Sequence, residues 1–183
     1  MDIQTDKPTG KMTNQMLIDI TNNIESKVSP ENKKKYRNAV TAADTMLFDP
    51  KTHANMQLVK NPASRITPVK TISTGVAGLM WILYQQSKRS MSAEVLIFSA
   101  TTVICHVLDF AERGLKMEIT PEIIAQTVQQ ASEKLFEKMG ITAEQLREAI
   151  NQGKKEIDDY QTHQDYLSNK MQAVRQPKPQ GGM

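Results

Sequence analysis

Residues 71–87, TISTGVAGLMWILYQQS, and residues 93–110, AEVLIFSATTVICHVLDF, decide how this chain is read. Thr71 to Ser87 is a run of seventeen residues without a charge, and Val95 to Leu108 adds fourteen more. As a helix the first run spans about 26 Å, short of a bilayer core of about 30 Å that calls for about 20 apolar residues. It also contains Gly75, Gly78, Gln85 and Gln86, and the second run is shorter and interrupted by Ser99, Thr101, Thr102 and His106. The two runs are therefore expected to form a buried antiparallel hairpin at the centre of a soluble bundle, with Gly75 and Gly78 letting the helices approach closely. Lys70, Lys88 and Arg89 bracket the first run and Trp81 and Tyr84 lie near one end. That flanking keeps open a conditional turn of the hairpin toward lipid. The residues that are either core or lipid-facing are Val76, Leu79, Met80, Trp81, Leu83, Leu96, Ile97, Phe98 and Ile104.

Working outward, the punctuation is helical. Ser29-Pro30-Glu31, Asp49-Pro50, Thr67-Pro68 and Thr120-Pro121-Glu122 each put a capping side chain before a proline, which suits the first turn of a helix. Met16, Ile20 and Ile24 predict a helix over about 13–28. Tyr36, Val40, Ala43 and Leu47 predict a second, and a short third is expected over 50–60, stopped before Pro62. The apolar runs supply helices over 68–87 and 92–113, the second capped by Ser92 and ended by Gly114. Ile124, Val128, Ala131, Leu135 and Met139 mark one from Thr120 to Gly140, and Thr142 with Gln145 opens another. No strand-type alternation recurs. The expected fold is an all-α bundle of about seven helices.

After Gly153, Ile157, Tyr160, Gln164, Leu167, Met171 and Val174 step by three and four, a heptad seam on a polar helix. A seam this short is marginal alone and needs a partner surface, in its own domain or in another subunit. The expected organisation is a flexible tail at 1–11, a helical domain at 12–153 with its hairpin at 68–113, an amphipathic helix at 154–175 and a flexible tail at 176–183.

Net charge is +3, unevenly spread. Residues 50–93 hold six basic groups, Lys51, Lys60, Arg65, Lys70, Lys88 and Arg89, and no acid, whereas residues 94–153 hold nine acids against five bases. Either the basic segment packs beside the acidic one, or Lys60, Arg65, Lys70, Lys88 and Arg89 face an anionic partner such as DNA phosphates or lipid headgroups. Lys33, Lys34, Lys35 and Arg37 form a further basic run at a helix start. A single cysteine, Cys105, excludes an internal disulfide and a multi-cysteine zinc site. The polar start MDIQTDKPTGKMTNQ reads as one without a signal peptide.

Catalytic signals are weak. His106, Asp109 and Glu112 share one helix face, but the spacing matches no established metal motif, and the plain reading is a histidine beside its carboxylate at the edge of an apolar helix. Cys105 reads as a small core residue. TGVAGLMW lacks the lysine and spacing of a phosphate loop. No enzyme, cofactor, metal or small-molecule substrate is expected.

Residues 42–59 (AADTMLFDPKTHANMQLV), 74–114 (TGVAGLMWILYQQSKRSMSAEVLIFSATTVICHVLDFAERG) and 118–146 (EITPEIIAQTVQQASEKLFEKMGITAEQL) resemble small virion structural proteins of short-tailed bacteriophages. The order is shared: a Asp-Pro segment leading to His53, an apolar hairpin with a "KxSM" link, and a "TPE" helix closed by a Gly-Ile-Thr turn. The resemblance covers about residues 40–147. It implies a non-enzymatic internal or ejection protein, stored in the particle and delivered with the DNA to help form a conduit across the host envelope. It also implies a homo-oligomer in contact with other virion proteins, with DNA backbone and conditional membrane contacts. A different class, a soluble helical adaptor or assembly chaperone acting through the seam, fits the same residues.

Overall fold

The computed structural model describes residues 12–49, 51, 61 and 66–142. The chain divides into two compact units, Met1–Gly140 and Ile141–Met183, and the architecture below is that of the first. It is all-α: five helices, α1 (Gln15–Lys27), α2 (Lys33–Phe48), α3 (Pro68–Gln86), α4 (Ala93–Leu115) and α5 (Pro121–Lys138), with no strand among the described residues. The short helix expected over 50–60, the one opened by Thr142, and the helix at 154–175 lie outside the described residues.

Each helix begins where a local acceptor or a proline starts it. Asn14 Oδ1 accepts from the amides of Met16 (3.0 Å) and Leu17 (3.4 Å), Ser92 Oγ from Val95 (3.2 Å) and Thr120 Oγ1 from Ile123 (3.4 Å). Pro68 and Pro121 occupy first-turn positions, where a missing N–H costs nothing. Ser29 departs from expectation. It does not cap α2; its carbonyl accepts from Asn32 and Lys33 in a turn, and α2 starts only at Lys33. The reason is tertiary, because Ser29 and Asn32 are both committed to Glu94 on α4.

The ends are equally local. Asp49 turns extended before Pro50 and closes α2. Gly140, at φ +78°, supplies the left-handed residue after α5. Gly114, expected to end α4, is inside its last turn. The left-handed cap is Lys116 (φ 55°), and the Met117 amide returns to the Ala111 carbonyl at 3.1 Å. The α3–α4 turn places two further non-glycine residues there, Lys88 (φ 56°) and Arg89 (φ 59°), at about 1–2 kcal/mol each. α2 carries three lysines and no acid in its first turn, the unfavourable sign for the positive end of a helix dipole, by about 0.3–1 kcal/mol per charge.

α4 is the centre. It packs against α1, α2, α3 and α5, while α5 also lies along α3 and α2 touches α3. A helix buried along one face leaves the opposite face in water, but Val95, Leu96, Val103, Ile104, Val107 and Leu108, spread around more than half of the circumference of α4, are all buried, as surrounding helices on several sides require. Leu17, Ala43, Met80, Ala131 and Leu135 come in from the four neighbours to the same core. A smaller cluster of Ile24, Val28 and Tyr36 forms where α1 turns into α2, with Phe98 packed on it.

Candidate functional site

The apolar hairpin is core. Val76, Met80, Leu83, Leu96 and Ile104 are buried, Leu79 nearly so, Trp81 and Ile97 pack partly exposed on the main core, and Phe98 packs on the smaller one. Ile82 is the large apolar exception on α3, 47% exposed. α4 is the one described helix long and apolar enough to cross a membrane, and 72% of that stretch is buried inside the protein. The uncharged run by itself is too short for this; the helix is longer because it continues through Asp109, Glu112 and Arg113 to Leu115.

The polar residues that interrupt the second run are accommodated. Thr102 Oγ1 meets the Tyr36 hydroxyl at 2.8 Å, Ser99 Oγ donates to the Tyr36 carbonyl (3.5 Å) and Thr101 Oγ1 to the Ile97 carbonyl (2.9 Å). Burial raises the Tyr36 phenol above its usual 10.0. It also pushes the Cys105 thiol from 9.0 up to about 11, so this cysteine is held protonated, the opposite of an activated nucleophile.

Gly75 and Gly78 do not bring helices together. A Cβ added at either would meet nothing within 4 Å, because both lie toward the outside of α3. Gly78 instead lines a cleft of about 470 Å³ with Thr74, Ala77, Lys134, Glu137 and Lys138, between α3 and α5. Its lining mixes both charge signs and gathers no set of reactive groups.

What the sequence did not disclose is how α4 is clamped. At its start Glu94 accepts from the Ser29 amide (2.9 Å), the Ser29 hydroxyl (3.1 Å) and Asn32 Nδ2 (2.6 Å), and these bonds hold its carboxyl below the usual carboxylate range. At the other end the Thr13 amide donates to Asp109 Oδ1 (3.0 Å) and Asn14 Nδ2 to both oxygens of Glu112 (3.1 and 2.9 Å). Every acid of α4 is thus spent on a terminus of α1 or the loop that follows it. Asp109, 1% exposed, also receives Arg113 Nε at 2.8 Å.

The expected grouping of His106 with Asp109 and Glu112 is not what forms. His106 Nδ1 faces Asp44 of α2, 2.9 Å from each carboxylate oxygen, a tie between α2 and α4. Among the described residues no three His, Cys, Asp or Glu side chains converge as metal ligands would. No periodicity could have announced Asp44, since the pair is set by helix packing over 62 residues of sequence.

The basic segment splits. Lys70 sits in the first turn of α3 and Lys88 and Arg89 just beyond its last, about 27 Å away along the axis. Lys60 and Arg65 lie outside the described residues, as do Ile157, Tyr160, Gln164, Leu167, Met171 and Val174. None of Lys70, Lys88 and Arg89 pairs with an acid of α4; the ion pairs among the described residues are Arg37–Glu25, His106–Asp44 and Arg113–Asp109. The described part of the basic segment does pack beside the acidic one, α3 lying against α4 and α5, but without an ion pair from these three. Compared with known proteins, the chain matches no protein-family model, no curated protein and no solved structure.

Proposed function

We propose that this is a non-enzymatic virion structural protein of a short-tailed bacteriophage, carried inside the particle and delivered with the DNA to help form the conduit across the host envelope. The observation that carries the reading is the packing of α4: this apolar helix is enclosed by four others and held by non-covalent contacts alone, through its buried side chains and through hydrogen bonds at its two ends and to Tyr36 and Asp44 of α2. A hairpin stored in that way is kept from lipid and is releasable without breaking a covalent bond. The resemblance over residues 40–147 supports the same role.

In this proposal about seven helices make up the chain, the last being the amphipathic helix at 154–175. Its seam, Ile157, Tyr160, Gln164, Leu167, Met171 and Val174, joins copies into a homo-oligomer and meets other virion proteins. DNA phosphates and, after ejection, the host envelope are the remaining contacts.

The test is to follow the protein through infection. Density-banded particles of the phage that encodes it are opened with receptor, and full and emptied particles are compared by mass spectrometry. The proposal expects the protein in full particles and its loss from emptied ones. Retention in the emptied shell makes it a plain capsid or tail component. Absence from both, with assembly failing when it is deleted, makes it the adaptor or assembly chaperone.

A further inference from the structure

The fold gathers one end of the bundle into a cationic face that no stretch of sequence displays. Glu94, bonded to Ser29 and Asn32, fixes the α1–α2 loop against the start of α4. Lys35 Nζ, donating to the Ser90 carbonyl at 3.3 Å, fixes the first turn of α2 against the α3–α4 turn. Three segments separated by up to 65 residues therefore share one end. They bring with them Lys27, Lys33, Lys34, Lys35, Lys88 and Arg89, all exposed.

None of these six is in an ion pair among the described residues. Among the described residues, the acids in these segments are Glu25, which is paired, Glu31, which is exposed, and Glu94, whose oxygens are occupied by Ser29 and Asn32. Arg37 is already neutralised by Glu25 at 2.8 Å. Parts of the arrangement cost the fold, since the three lysines of α2 oppose its dipole and Lys88 and Arg89 hold left-handed backbone. Only Lys27 at the end of α1, Lys35 through Ser90 and Arg89 through Gln85 stabilise it in return. Local rules broken together on one surface point to use of that surface.

We propose that this end docks on the surface of an anionic phospholipid bilayer. Six unpaired cations on one end of a bundle match a plane of phosphate headgroups, and lysines read such a plane as point charges without needing a defined geometry. Directly behind them, on the last two turns of α3, come the exposed Ile82 and the Trp81–Tyr84 pair, with ring centroids 5.4 Å apart. An apolar and indole-bearing belt about 6–10 Å behind the charges is the layering of a membrane interface, and it is not a feature that a DNA backbone needs. Docking is end-on, turn first, and leaves α4 packed. This inference goes beyond the virion reading and does not depend on it.

The experiment is flotation of the full purified chain with vesicles of phosphatidylglycerol and phosphatidylcholine in equal parts, and with phosphatidylcholine alone. Wild type floats with the first, not the second, and is released by salt. Lys34→Glu/Arg89→Glu lowers the partition coefficient by at least about thirtyfold. Lys70→Glu/Lys116→Glu, with the same change in net charge away from this end, lowers it by less than about threefold. Lys88→Gly, which relaxes the turn, raises the melting temperature yet weakens flotation, separating binding from folding. Equal loss in both double variants, equal flotation with neutral vesicles, or no flotation of wild type overturns the proposal. So does displacement from the vesicles by random-sequence duplex DNA at a lower phosphate concentration than that of the lipid, which would make the surface a nucleic-acid one.

Discussion

Cys105 shows how far a single environment sets a residue's chemistry. Its thiol is fully buried in α4 and titrates at about 11 where 9.0 is usual. Folded chains therefore keep a proton that unfolded chains release between those values. The sign follows: above the usual thiol range the unfolded state binds fewer protons, so stability falls as pH rises, by up to about 1.4 kcal/mol per pH unit until the folded value is reached. Urea titrations across that window should show a shallower fall for Cys105→Ala, with the Tyr36 phenol contributing the remainder. Ellman's reagent should label native Cys105 no faster than the chain opens. Gly78 makes the opposite case. A Cβ there has room, so Gly78→Ala should stabilise by about 0.5–1 kcal/mol in chemical denaturation. Gly114→Ala should gain less, because its Cβ would lie 3.0 Å from the Phe110 ring. The core placement of Cys105 was legible in its apolar surroundings. The outward aspect of the two α3 glycines was not, since an absent side chain leaves no periodicity to read.

α4 was legible as a helix and as a buried one, for its apolar residues and its Ser92 cap are both local signals. Its clamps were not, because Thr13, Asn14, Ser29 and Asn32 look like ordinary cap and turn residues until packing assigns them to Glu94, Asp109 and Glu112. Their removal should loosen α1 rather than melt the centre. Asp109→Ala takes the acceptor from the Thr13 amide and from Arg113 and should cost about 1–3 kcal/mol, with faster hydrogen exchange in the first turns of α1. Glu94 has a lowered folded pKa, so the stability it contributes is present above the usual carboxylate value of 4.5 and is lost as pH falls through the folded one. Glu94→Gln should lower the melting temperature at neutral pH and flatten its decline on acidification, measured by circular dichroism. Leu108, by contrast, faces the shared core. Leu108→Ala should cost about 2–5 kcal/mol and destabilise all five helices together.

At the scale of the molecule, alternating helix directions bring the α1–α2 loop and the α3–α4 turn to one end, and with them the unpaired cations. The all-helical architecture and the central hairpin follow from caps and apolar runs that neighbours in sequence supply. The cationic end depends on contacts such as Lys35 to Ser90, 55 residues apart, and emerges only when the helices pack. The account stands on the hairpin being the packed interior of the protein in water. Hydrogen exchange of the full chain in detergent-free buffer, read peptide by peptide by mass spectrometry, tests that most directly. Amides of Ala93–Leu115 should be the slowest in the molecule, exchange only with global unfolding, and keep that protection when anionic vesicles are added. Rapid exchange across α4 in water, or protection that appears only with lipid, would contradict it.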